Sequence, residues 1–209
     1  MALDLRRIAA CLLAALALAA PAARAAEPAK IVTFGDSITE GYGVPLKDAY
    51  PARLADALAS RGIRANIVNA GVSGDTSGNA LDRLPQVIAL APSLVILEIG
   101  GNDGLRGLPT AATRRNIDLI LGGLGKAGIR VVLVGMTLPA NYGKVFVRQF
   151  EQIYEELAAS HKVRLASLAT AGIANAPGMM QRDGIHPTAL GHRRLAEFLL
   201  PHVTALLRR

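Results

Sequence analysis

The chain has 209 residues, 51% of them hydrophobic and 19% charged, which suits one globular domain able to bury a substantial core. A formal charge of +7 would favour anionic partners, but the basic residues are dispersed, aromatics are 4% and there is no Trp, so nothing reads as a nucleic-acid stacking platform or basic stripe. A single cysteine excludes a disulfide framework.

The first segment stands apart. "MALDLRR", the apolar "IAACLLAALALAA" and "PAARA", which ends in small-x-small, have the order of a secretory signal peptide cleaved after Ala25. The apolar run is short of the ~20 residues that span a bilayer, so a stable membrane anchor is not expected. Cleavage predicts a domain over 26–209 in the periplasm or the medium. It removes Cys11 and leaves 20 basic and 15 acidic residues, a formal +5. That excess allows transient contact with lipid headgroups; a soluble monomer is the economical expectation.

From residue 30 onward, short β-rich runs recur. They are "KIVTF" (30–34), "RANIVN" (64–69), "SLVILEI" (93–99), "RVVLVGM" (130–136) and "KVRLASL" (162–168). The third and fourth are almost wholly apolar, as strands covered on both faces should be. Between them lie helical patterns. "DAYPARLADALASRG" has Asp48 as a cap and Pro51 in its first turn. "TAATRRNIDLILGGLGKAG" ends at Gly128, and "KVFVRQFEQIYEELAASH" places Phe146, Phe150, Ile153 and Leu157 on one face. "PTALGHRRLAEFLLPHVTALL" follows, with a kink expected at Pro201. This alternation predicts an α/β fold, a parallel sheet with helices on both faces.

In such sheets ligands collect beyond the carboxyl ends of the strands. Three Gly-rich loops fall there: "FGDSITEGYG" (34–43), "NAGVSGDTSG" (69–78) and "GGNDGLRG" (100–107). The first displays Ser37. A phosphate cradle, a catalytic serine and a plain turn are all compatible with that loop alone.

A serine hydroxyl needs a base. Of His161, His186, His192 and His202, three lie in amphipathic stretches, where solvated or capping roles are expected. His186 differs, because "DGIHP" (183–187) follows the fifth strand and precedes the last helix, on the rim of Ser37. Asp183, three residues earlier, can turn back to hold the imidazole Nδ1–H and leave Nε2 for the serine proton. Acyl transfer also needs donors for an oxyanion, and Ser37 N–H, Gly74 N–H and the Asn102 amide are available.

"GDSIT" (35–39), Gly74, "GGND" (100–103) and "DGIHP" (183–187) resemble, in order and spacing, the four signature blocks of the SGNH/GDSL hydrolases. Coverage runs from about Lys30 to the last helix. "GGNDGLRG" and "LPANYG" (138–143) are more closely similar to the bacterial periplasmic thioesterase/lysophospholipase/arylesterase subgroup. One departure is Ile38, where the motif has Leu.

The resemblance implies Ser37 as nucleophile, His186 as base, Asp183 as its orienting carboxylate, and Ser37, Gly74 and Asn102 as the oxyanion hole. It also implies a flavodoxin-like α/β/α sandwich with strand order 2-1-3-4-5. Asp36, Asp75 and Asp103 are expected to brace turns. Arg106 is either a substrate-anion contact or a solvated loop residue.

No Gly-x-Ser-x-Gly elbow and no P-loop is present. No cofactor is expected and no metal, since no His/Cys cluster has ligand spacing. Two alternatives remain: a carbohydrate O-acetylesterase of the same superfamily, and a flavin- or nucleotide-binding module, which would leave Asp183, His186 and Asn102 unexplained. The loops after the strands read as short, with none long enough to cover the rim. The expected substrates are aryl esters, thioesters and lysophospholipids, with the acyl chain lying along Leu105, Leu108, Leu138, Pro139 and Tyr142.

Overall fold

Two strands with hardly a polar side chain demand cover on both faces, and they lie in the middle of the sheet. In the computed structural model, which describes residues 27–174 and 176–207, five parallel strands run in the order β2-β1-β3-β4-β5. They are β1 (Ala29–Gly35), β2 (Ala65–Gly71), β3 (Leu94–Glu98), β4 (Arg130–Gly135) and β5 (Arg164–Ser167). All of β3 is buried, as is β4 beyond its first residue, whereas the edge strand β2 has no fully buried position. The expected leader over 1–25, with Cys11, lies outside the described residues.

Seven α-helices are present among those residues: α1 (Ser37–Glu40), α2 (Tyr50–Ala59), α3 (Ser77–Ala89), α4 (Gly101–Leu105), α5 (Thr110–Lys126), α6 (Lys144–His161) and α7 (Ala189–Leu207). Helices α2 and α7 pack together on one face of the sheet, while α5 packs between α3 and α6 on the other. The core between these layers takes Ile31, Val32 and Phe34 from β1, Leu54 and Leu58 from α2, and Phe150 and Leu157 from α6. None of the described helices is long and apolar enough to cross a membrane.

Several local expectations change. Helix α2 is capped by Ala49 without a side-chain bond, and Asp48 instead closes a 3-10 turn and pairs with Arg53. Helix α3, absent from the sequence reading, starts on a reciprocal capping box between Thr76 and Asn79. Pro201 lies inside helix α7, as the sequence places it.

His192 is the sharpest correction. It has no exposed surface, its Nδ1 accepts the Tyr50 N–H at 3.3 Å, and its buried Nε2 has no partner among the described residues. Burial, with the nearby charge of His186 adding to it, pushes its pKa down to about 4 from 6.5. Between those values the unfolded chain holds the extra proton, so this contribution is full above about pH 6.5 and drains as pH falls toward 4. The shift corresponds to at most about 3 kcal/mol.

Asp36, raised by burial to about 6, acts with the opposite sign over an overlapping window, because there the folded chain takes the extra proton. The net slope of Tm against pH is therefore not diagnostic; a difference between variants is. His192→Gln keeps an acceptor for Tyr50 and should lose less stability than wild type when thermal melts at pH 7 and pH 5 are compared. Equal losses would contradict a neutral buried imidazole.

Candidate active site

Each candidate residue is delivered by the carboxyl end of a strand. Beyond β1, Asp36 accepts the Ile38 N–H on Oδ1 at 3.1 Å and so caps α1, which begins at Ser37. Ser37 is 9% exposed. Its Oγ lies 2.9 Å from Nε2 of His186, although the two are 149 positions apart in the chain.

His186 arrives on the 168–188 connection between β5 and α7, in a turn that Asp183 organises. Oδ1 of Asp183 accepts the N–H groups of Ile185 and His186 at 2.9 and 3.0 Å, and Oδ2 accepts Nδ1–H of the ring at 2.7 Å. Partial burial would raise this carboxyl, but the hydrogen bonds from the His186 ring and the two amides outweigh it and hold the pKa at about 2. The carboxylate thus fixes the tautomer with its proton on Nδ1, leaving Nε2 to accept from Ser37.

The turn is tied to the Ser37 loop by a residue that sequence reasoning missed. Gln181 donates Nε2–H to the Tyr42 carbonyl and to the Pro187 carbonyl, both at 2.9 Å, and its N–H bonds the His186 carbonyl at 2.8 Å. The Tyr42 ring, also missed, packs against the imidazole with centroids 4.6 Å apart. Their only signal in the sequence was proximity to the two blocks.

The three oxyanion candidates come from three loops. The Ser37 and Gly74 N–H groups find no backbone acceptor among the described residues. Gly74 has φ +85°, a left-handed conformation that glycine adopts freely. Asn102 directs its amide at Oδ2 of Asp36 (3.2 Å) and the Asp75 carbonyl (3.0 Å), which places it beside the Ser37 turn.

Arg106, left open by the sequence, donates to the Gly74 carbonyl at 2.9 Å and so ties Gly74 to α4. Asp75 holds Arg83 at 2.5 Å, and Asp103 accepts from the Ser77 N–H and hydroxyl and from Thr113. These acids brace the rim.

Ser37, Asn102 and His186 open into a cleft of about 600 Å³. Its walls are mainly apolar: Leu105, Met136, Leu138, Pro139, Leu168, Ile173 and Met180. Two of the expected groove residues are elsewhere. Leu108 is 38% exposed and outside the lining, and Tyr142 turns its hydroxyl to the Leu105 carbonyl (2.9 Å) and its ring to Phe146. Loop length is the reason. The 168–188 connection is long, contrary to expectation, and supplies the wall with Leu168, Ile173 and Met180.

A serine, an imidazole and a carboxylate hydrogen-bonded in sequence at the carboxyl rim of a doubly wound sheet is the layout of a serine hydrolase. The chain matches the model of the GDSL-like lipase/acylhydrolase family over residues 33–194, and it belongs to that family. It is 38% identical over 178 residues to the esterase TesA of Pseudomonas aeruginosa, covering 85% of this chain and 89% of that one. It is 35% identical to thioesterase 1/protease 1/lysophospholipase L1 of Escherichia coli K12, covering 88% of each. Among solved structures, the psychrotrophic esterase EstA from Pseudoalteromonas sp., inhibited by monoethylphosphonate, superposes with a TM-score of 0.80 at 25% identity. That match covers 86% of this chain and 99% of EstA.

Proposed function

We propose that the chain hydrolyses acyl esters and thioesters through a covalent acyl-enzyme on Ser37. The hydroxyl attacks the carbonyl carbon as its proton passes to Nε2 of His186, and Asp183 stabilises the imidazolium that results. The oxyanion is met by the N–H groups of Ser37 and Gly74 and by the Asn102 amide. Collapse expels the alcohol or thiol, which takes the proton from Nε2. Water, deprotonated by the same nitrogen, then releases the acid. The observation that carries this reading is the unbroken hydrogen-bond relay from Ser37 to Asp183.

The cleft supports the choice of substrate. Its apolar walls fit a hydrocarbon chain and offer little to a sugar. The relatives named esterase and thioesterase/lysophospholipase agree with a site that selects the acyl group and tolerates varied leaving groups.

A p-nitrophenyl ester series from C2 to C16 tests this, run beside acyl-CoA and lysophospholipid. Each methylene buried in the cleft adds roughly 0.8 kcal/mol, so kcat/KM should climb by up to about fourfold per methylene until the cleft is filled. Cleavage of acetyl esters alone would return the assignment to a carbohydrate O-acetylesterase.

A further inference from the structure

Beneath the Ser37 turn lies a carboxyl group that the chemistry above does not use. Glu98 closes β3, pairs in register with Gly35 and has no exposed surface. The room for it exists because residue 35 is glycine: a Cβ there would sit 2.7 Å from Oε2 of Glu98. That oxygen accepts from Thr39 Oγ1 at 2.7 Å, and the Tyr50 hydroxyl lies 3.0 Å behind Thr39. The other oxygen, Oε1, is buried and has no hydrogen-bond donor among the described residues. No ion pair among the described residues includes Glu98.

A carboxylate here would be a buried charge without a counter-ion. A carboxylic acid fits better, with one oxygen accepting from Thr39 and the other carrying hydrogen in search of an acceptor. The neighbouring acceptor is Asp36, which directly follows Gly35, the register partner of Glu98, and whose charge acts on Glu98. Burial, reinforced by the Asp36 charge, pushes Glu98 well above the usual carboxyl range. For Asp36, burial dominates but the Ile38 N–H and the bond with Glu98 oppose it, and its pKa stops at about 6. Burial therefore favours placing the pair's proton on Glu98, which has no exposed surface, and leaving the charge on Asp36, which accepts from the Ile38 N–H and the Asn102 amide.

Asp36 faces the site as well. Its Oδ2 accepts from the Asn102 amide nitrogen at 3.2 Å, and the Asp75 carbonyl accepts from the same nitrogen at 3.0 Å. We propose that Glu98 is a positioning residue: as a carboxylic acid it donates its hydrogen to Asp36 and thereby sets the direction of the Asn102 amide. This rests on reading Asn102 as an oxyanion donor. Glu98 itself touches no substrate.

The test measures kcat, KM and Tm with a p-nitrophenyl ester for Glu98→Gln, Glu98→Met and Asp36→Asn, each with and without Asn102→Ala. Gln can donate to Asp36 and accept from Thr39, so its kcat should stay within about threefold of wild type. Met fills the volume but donates nothing; kcat should fall about ten- to a hundredfold, with little change in KM. Asp36→Asn should fall similarly, and it decides the matter if the Met variant does not fold. Both losses should vanish in the Asn102→Ala background, because the pathway they act through is already gone.

A residue that only supports the fold would lower Tm and leave kcat alone. Wild-type kcat in a folded Glu98→Met, a Gln variant as slow as Met, or losses that add to that of Asn102→Ala would each overturn the proposal. If Asn102→Ala is itself silent, the oxyanion reading falls and the proposal with it. If that variant shows its full loss while the others add to it, the proposal alone falls.

Discussion

Ser37→Ala should lower kcat/KM for a p-nitrophenyl ester by at least about 10⁴-fold while leaving the melting temperature close to that of wild type. The change removes one oxygen at a nearly buried position whose side chain, among the described residues, bonds only the His186 ring, so the fold has little to lose. The reaction loses its nucleophile. His186→Ala should cost a similar factor, and the double variant no more than either alone, because the two act as a unit.

Asp183→Asn should be milder by about two orders of magnitude. Its retained oxygen can still accept the N–H groups of Ile185 and His186. Its amide, however, would donate to Nδ1 and leave the ring proton on Nε2, the tautomer that cannot take a proton from Ser37. Steady-state kinetics beside thermal melts separate these outcomes from unfolding. Substantial turnover in Ser37→Ala would end the mechanism.

The second large effect is expected at Asn102. Replacing it with Ala should reduce kcat by about 10²–10³, or ~3–4 kcal/mol, with a smaller change in KM. A side-chain amide aimed at a developing O⁻ is worth more in the transition state than against a neutral carbonyl, and only that difference accelerates the chemistry. The amide nitrogen is held beside Ser37 by Asp36 and the Asp75 carbonyl, and one of these two bonds is released or shared when it turns to the developing charge. A raised KM with unchanged kcat would make Asn102 a substrate-binding residue and nothing more.

What could be read in advance, and what could not, divides along physical lines. The runs that became β3 and β4 are apolar on both faces, and alternation with helical periods then forces a parallel sheet. The site blocks were visible because their residue types have few other reasons to follow strand ends.

Helix α3 was hidden by Gly78 near its start and Pro85 in its body, which weaken propensity, although Thr76 and Asn79 supply the cap. Packing against α5 overrides that weakness. Leu108 and Tyr142 were misplaced because adjacency in the chain does not say which wall a loop forms. The wall contributed by 168–188 depends on a long connection whose course no local period encodes. Glu98 and His192 are legible only in three dimensions. Each sits in a run that periodicity assigns to a strand or helix, and nothing local marks the side chain as buried.

A covalent acyl-enzyme on Ser37 can be trapped and seen. Intact-mass and peptide mass spectrometry after treatment with a fluorophosphonate, or after acid quench during turnover of a p-nitrophenyl ester, should show one adduct. It should lie on the peptide containing Ser37, and the Ser37→Ala variant should show none. An unmodified Ser37 in fully inhibited enzyme, with the adduct on another residue, would contradict the account.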